Sequence, residues 1–426
     1  MTSANRADRR LEAELAGLAM PHFPDYFDDV VAVTSRTRQR PAWTFPGRWI
    51  PMVDVASQHV HVPRVPWRAV GVLAIVLLIV ALALAAIAGS QRRVPAPFGV
   101  ARNGLVAHVQ NQELYVTDVA AGTSRRVAGG GISQAAFSLD GTKLAFLQPS
   151  GSGSDVFVAD PDGSHLLKLT PNPVSQVAAI AWSPDGQSIA ISEGAEGSRA
   201  ERVLLARTDG SGMTSLAVDM PASSPAWRPP DGREIAFRGV KDGNAGLFVV
   251  SATGGTAREM AGTTKANDDI GFPAWSPDGA RLAYTYDAAN GEGGSNASLH
   301  FVNADGSHDM TAPASNPGVQ EYSPVWSPDG RFVAMHRWTS NGATGETWVA
   351  IVPTDASTKA VDADNRTAIS QLGVDGWALS WAPDGRAVLA FETGSSRLLL
   401  IDPVTGHTTP TTFTATQMPS WQRLAP

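Results

Sequence analysis

From residue 99 onward the chain sets short apolar runs between small polar turns, on a repeating schedule. An aromatic residue closes one run, an Asp-Gly turn follows, and a second run begins. That second run reads KLAFL from Lys143, SIAIS from Ser188, EIAFR from Glu234, RLAYT from Arg281 and FVAMH from Phe332. A variable loop leads to a third run: VFVAD from Val156, VLLAR from Val203, LFVVS from Leu247, LHFVN from Leu299, WVAIV from Trp348 and LLLID from Leu398. A further turn then reaches a weaker fourth run such as HLLKLT from His165. Apolar runs of this length between turn residues predict strands, four to a unit.

Aligning the units on the aromatic before each turn gives Phe137, Trp182, Trp227, Trp275, Trp326 and Trp381, spaced by 45, 45, 48, 51 and 55 residues. Four strands on a period of about 40–50 residues predict a β-propeller blade. The ends of the chain complete the pattern. Residues 104–128 supply the second, third and fourth strands of a unit, and residues 418–424, MPSWQRL, supply a first strand carrying Trp421. Joined, the two fragments make one split blade, so the expected fold is an all-β, seven-bladed propeller closed by its own chain ends. Six blades with a loose C-terminal tail is the alternative.

The repeated W-S-P-D-G has a local explanation. Pro277 fixes φ for the second position of a turn, Asp278 bonds the turn's backbone N–H groups, and Gly279 accepts a positive φ. Trp275 offers a large apolar face to the neighbouring blade. The same turn role is expected of Asp140, Asp185, Asp231, Asp329 and Asp384. The copies vary as turns do: SLDG at 138, APDG at 382 and RPPDG at 228. A ring of catalytic or metal-binding carboxylates would tolerate less.

The motif W-S-P-D-G-x-x-[IL]-A resembles that of the TolB-type, WD-repeat-like propeller family of bacterial envelope proteins, over residues 99–426. The resemblance implies a propeller whose blades serve as binding surfaces for protein partners. Three departures mark this chain as a relative in fold only. It has an apolar anchor in place of a cleaved signal, no N-terminal α/β domain of the family type, and seven expected blades instead of six.

Residues 69–89, AVGVLAIVLLIVALALAAIAG, form an uncharged and mostly aliphatic run. As a helix, 21 residues span about 30 Å, the hydrocarbon thickness of a bilayer. Arg64, Trp67 and Arg68 flank one end and Arg92 and Arg93 the other; Arg36, Arg38, Arg40 and Arg48 add positive charge on the N-terminal side. The expected layout is a cytoplasmic segment 1–68, a transmembrane helix 69–89, a linker 90–98 and an extracytoplasmic propeller 99–426. Phe23, Phe27, Val30, Val31 and Thr34 recur at helical spacing ahead of a basic, aromatic stretch, RTRQRPAWTFPGRW. That segment suits either the inner leaflet or a cytoplasmic partner, and the second option makes the protein an envelope sensor.

Composition narrows the chemistry. The absence of cysteine excludes disulfides, thiolate metal sites and a Cys nucleophile, and a net charge of −7 argues against general nucleic-acid binding. No G-x-S-x-G, H-E-x-x-H, Walker A or dinucleotide-type glycine motif occurs, so neither a catalytic residue nor a cofactor is expected. His300 and His308 flank one turn without a third ligand. In a four-stranded blade, the first-to-second and third-to-fourth turns share one face, and here they are short and stereotyped. The second-to-third and fourth-to-first connections share the other face and hold the length variation, as in residues 285–297 and 337–346. Asp219, Asp268, Asp269, Glu321 and Asp375 lie on the connections into innermost strands and form a candidate acidic rim at the channel mouth, suited to a cation or a basic partner segment. The function expected is therefore protein or ligand binding by an anchored envelope module, with a lyase or hydrolase at the channel mouth as the enzymatic alternative.

Overall fold

The computed structural model describes residues 98–424 apart from 195–200, 261, 266–267, 289–296, 313–317, 341–344, 356–359, 365–366, 370–378, 393–395 and 418. The expected N-terminal segment, the apolar run 69–89, nearly all of the linker and Asp375 lie outside the described residues. Among the described residues there is no helix, and so none long and apolar enough to cross a membrane.

The strands form seven antiparallel sheets. Blades 1 to 6 begin with the innermost strands Gln134–Phe137, Val177–Trp182, Ala222–Trp227, Asp269–Trp275, Val319–Trp326 and Leu379–Trp381. Blade 4 shows the common pattern, with Arg281–Asp287, Ala297–Asn303 and Met310–Thr311 outward from Asp269–Trp275. Blade 7 is the split one: Ser420–Leu424 pairs with Arg102–Gln110, which is followed by Glu113–Asp118 and Thr123–Ala128. The seven-bladed reading holds. Blade 5 adds Thr367–Ile369, which pairs with the same strand, Gly345–Pro353, as its fourth strand Val361–Asp362 does.

Seven apolar clusters fill the seven junctions between blades. The second strands are buried on both faces, which is why they read as continuous apolar runs. Leu282 and Tyr284 pack towards blade 3, while Ala283 between them packs towards blade 5. Pro225, Pro273 and Pro324 lie within innermost strands, beside bulges at 223–226, 271–274 and 322–325. An innermost strand has a free edge towards the channel, and an edge tolerates a missing N–H.

The blade motif does more than pack. Each of five tryptophans donates its indole N–H to a backbone carbonyl of the preceding blade, that of the residue just before the aromatic. Trp182 reaches Ala136 at 3.0 Å, Trp227 reaches Ala181 at 3.1 Å and Trp275 reaches Ala226 at 3.2 Å. Trp326 reaches Ala274 at 2.9 Å and Trp381 reaches Val325 at 3.0 Å. Room for each indole comes from a fully buried alanine on the preceding blade's second strand, at Ala145, Ala190, Ala236, Ala283 and Ala334. Blade 6 carries Leu389 at that position, paired with Ser380 on its innermost strand. The indole packed against Leu389 is Trp421, whose buried N–H has no hydrogen-bond partner among the described residues. The bulkier side chain occupies the space an indole needs to reach the carbonyl. Blade 1 has Phe137 instead of tryptophan, and its backbone N–H donates to Ser420 Oγ at 3.0 Å.

The Asp-Gly segments are turns, as expected. Asp140, Asp185, Asp231, Asp278, Asp329 and Asp384 each accept a hydrogen bond from the backbone N–H two residues on, at 2.9–3.2 Å. In four of them the preceding serine donates to the same carboxylate at 2.6 Å and accepts the N–H of the next strand's first residues. Burial alone would raise the Asp140 and Asp329 carboxyls, but these hydrogen bonds outweigh it and hold both below the ordinary value. Gly279 has φ of +67°, and a Cβ there would sit 1.9 Å from the carbonyl oxygen of Pro229.

Two predictions follow from these junctions. Trp275→Phe should cost about 1 kcal/mol, the worth of one hydrogen bond, and Trp275→Ala about 3–5 kcal/mol in urea denaturation. Trp421→Phe should cost less than Trp275→Phe, because no hydrogen bond is lost. Burial also pulls the imidazoles of His108 and His336 down to about 4 from 6.5. The unfolded chain then binds more protons below pH 6.5, so stability is full above that pH and declines towards pH 4 by roughly 3 kcal/mol per imidazole. Equilibrium unfolding across that range should show the decline, and His336→Phe should remove about half of it.

Candidate functional site

The turn face carries both ends of the propeller's chain. Ala101 N–H bonds the carbonyl of Pro383 at 2.8 Å, Asn103 Oδ1 accepts from Asp384 N–H at 3.0 Å, and Gln422 donates to the Gly141 carbonyl at 2.8 Å. All three partners belong to Asp-Gly turns. Shallow clefts of about 460, 450 and 540 Å³ open on this face at the junctions of blades 6 and 7, 2 and 3, and 3 and 4. Short, stereotyped turns thus still leave gaps between neighbouring blades on this face.

The opposite, connector end holds the buried ion pairs that run between blades. Glu321, expected on an open acidic rim, is fully buried. Its Oε1 accepts from Arg337 Nε at 3.0 Å and Nη2 at 2.8 Å, while Oε2 accepts the backbone N–H of Leu299 from blade 4 at 3.0 Å. Arg337 also donates Nη1 to Asp362 Oδ1 at 2.8 Å. A carboxylate at this depth needs such partners to remain there, so Glu321 joins two blades and is removed from the rim.

Asp269 is exposed but also occupied. Its Oδ1 accepts from Arg238 Nε at 2.9 Å, and Arg238 Nη1 lies 3.6 Å from Glu201 of blade 2. Both Arg238 and Glu201 are buried, so one guanidinium ties together blades 2, 3 and 4. In blade 2, Glu193 accepts from Arg202 and from Ser175 Oγ at 3.2 Å; burial raises its carboxyl, and the Arg202 interactions more than offset this. Asp268 is half-buried and accepts the hydroxyl of Tyr286, whose ring lies 5.1 Å from Lys265 Nζ. Asp219 is exposed.

Of the five acids read from the sequence, the structure thus places Asp219, Asp268 and Asp269 at the connector end, buries Glu321, and leaves Asp375 outside the described residues. Sequence reasoning missed Glu193, Glu201, Arg238 and Arg337. For Glu193, Arg238 and Arg337 the signal is a charged residue closing the apolar run of a second strand, as in SIAISE, EIAFR and FVAMHR; Glu201 stands just before a third strand, in ERVLLAR. His308 bonds Asn303 and Ser307 and does not approach His300's partners. Among the described residues no group of three or more His, Asp or Glu side chains is arranged to hold a metal ion.

The TolB beta propeller domain family matches residues 211–425, half of the chain. The chain belongs to that family. A relative, the uncharacterized peptidase YuxL of Bacillus subtilis (strain 168), is 36% identical over 72 residues, which are 17% of this chain and 10% of YuxL. The chain therefore matches only a small part of that protein's length. A functionally unknown protein from Desulfotomaculum acetoxidans is 12% identical, with 76% of this chain and 99% of that one covered at a TM-score of 0.52. An oligogalacturonate lyase in complex with manganese is also 12% identical, with 74% of this chain and 85% of that one covered at a TM-score of 0.52. Likeness at this identity concerns the fold alone.

The Arg337–Glu321 pair generates a double-mutant prediction. Arg337→Ala should destabilise the fold by about 3–5 kcal/mol, because it strands a buried carboxylate. Combining Glu321→Leu with Arg337→Met should restore part of the loss in urea denaturation, since no buried charge is then stranded although the Leu299 N–H loses its acceptor.

Proposed function

We propose that this chain is a membrane-anchored, extracytoplasmic propeller of the cell envelope that binds a protein or peptide partner on its connector face. One observation carries the choice of face: the chain enters the propeller at Arg102 and leaves it at Leu424, both on the turn face. A tether that joins there leaves the connector face unobstructed. That face also bears the long variable connections, the usual place for recognition on a rigid scaffold. The uncharged run 69–89 supports the anchor, and the nine Lys/Arg of residues 1–68, against seven Asp/Glu, support a cytoplasmic N-terminus. Family membership supports a protein partner, because TolB-type propellers bind other proteins. Asp219, exposed at that end, favours a basic segment of the partner.

The test is site-specific photo-crosslinking in cells that make the full chain. A crosslinker at Asp219 should capture a discrete envelope protein, and one at Asp231 or Asp384 on the turn face should not. Capture from the turn-face positions alone would overturn the proposal. A reporter fused after Pro426 should be active only in its exported form, and activity confined to the cytoplasm would overturn the orientation.

A further inference from the structure

Towards the connector end of blade 4, its outer strands bring together an unusual set of side chains. His300 on the third strand and Thr311 on the fourth are paired across the sheet, and Thr311 Oγ lies 3.2 Å from His300 Nε2. The other ring nitrogen, Nδ1, lies 3.2 Å from Asp309 Oδ1. The same carboxylate oxygen accepts the hydroxyl of Tyr284 at 2.7 Å. Burial raises the Asp309 carboxyl, but the hydrogen bonds from His300 and Tyr284 outweigh this and hold it below its ordinary value. Tyr284 is fully buried and pushed well above its ordinary value by that burial, so it stays a neutral donor. Tyr286, two residues along the same strand as Tyr284, also packs against the imidazole, its ring 5.2 Å away, and Lys265 lies over Tyr286.

A hydroxyl opposite an imidazole is by itself an ordinary cross-strand pair. The third and fourth members distinguish this one. Two other His–Asp pairs, His165–Asp160 and His407–Asp364, sit on exposed turns with imidazoles 78% and 72% exposed. The His300 side chain is 13% exposed and its ring packs against Tyr284 and Tyr286, while Thr311 remains in solvent. A nucleophile within reach of a base, whose far nitrogen is fixed by a buffered carboxylate, is the arrangement that activates a hydroxyl.

We propose that Thr311, His300 and Asp309 form a hydroxyl-activating relay that accepts acyl groups from activated esters and passes them to water. Thr311 Oγ attacks the ester carbonyl carbon as its proton moves to His300 Nε2. The carbonyl carbon–leaving oxygen bond breaks, and the leaving alcohol takes that proton from Nε2. Water then attacks the acyl-threonine, giving a proton to Nε2; the bond to Thr311 Oγ breaks and the proton returns to that oxygen, releasing a carboxylic acid. Asp309 and Tyr284 act as positioning residues: Asp309 holds Nδ1 protonated, and Tyr284 holds Asp309. The proposal stands independently of partner binding at the connector face.

The test uses the full chain in detergent with p-nitrophenyl acetate. The wild type should hydrolyse it above the buffer rate, and acid quenching followed by mass spectrometry should find the acetyl group on Thr311. Thr311→Val, close in shape, should abolish the excess, Thr311→Ser should retain it, and His300→Gln should lower it by about 100-fold or more. Asp309→Asn, which can present its amide instead of an acceptor to Nδ1, should lower kcat with KM unchanged, and Asp309→Glu should recover part of it; a purely structural role would not separate the two variants in kcat alone. A wild-type rate equal to buffer, acetylation confined to other residues, or full activity in Thr311→Val would each overturn the proposal. The adduct is mapped on the wild-type chain, so a variant that fails to fold leaves that decision intact.

Discussion

The structure depends on one repeated contact, the indole N–H that leaves its own blade and bonds a carbonyl of the blade before it. A propeller has no central core. Its sheets must be held face to face, and each junction buries only the two faces that meet there. The tryptophan supplies a large apolar ring to the junction and, through its N–H, a direction. An alanine on the facing strand sets how deep the ring can sit. Where Leu389 replaces that alanine, Trp421 still packs but its N–H is idle. The closing blade is thus held differently, by the pairing of Ser420–Leu424 with Arg102–Gln110 and by Gln422 bonding the neighbouring turn.

Once the inner ends are locked, the connector ends become the place where charge can be afforded. Glu321 with Arg337, and Glu201 with Arg238 and Asp269, extend the junctions outward from the apolar layers. These groups are expensive to bury alone, and each carboxylate or guanidinium takes its partner from an adjoining strand or blade. They replace an open acidic ring with cross-braces, on which the variable connections stand. Rigid support beneath changeable loops is the physical requirement of a binding face.

Much of this was legible in the sequence because turns and aromatics act locally. The Asp-Gly turns follow from residues whose conformational needs are met within six or seven positions, and their regular recurrence gave the blade count and showed that the two chain ends are halves of one unit. Glu321 was misread for the opposite reason: its place depends on Arg337, sixteen residues away, and on a backbone N–H of another blade. The tryptophan N–H bonds were equally hidden, since their acceptors lie about fifty residues upstream. One signal was available, though. An alanine recurs eight positions after the aromatic in Ala145, Ala190, Ala283 and Ala334, and its replacement by Leu389 marks the odd junction in the sequence itself. The relay at His300 has no spacing signature, because its four members come together only through strand pairing within blade 4.

The central claim is that five indole N–H groups hold successive blades and a sixth, equally buried, does not. Hydrogen exchange of the assigned indole N–H resonances tests it directly. The account predicts slow exchange and hydrogen-bonded chemical shifts for Trp182, Trp227, Trp275, Trp326 and Trp381, and faster exchange for Trp421. Equal protection of all six, or exchange of the five at the rate of Trp421, would contradict it.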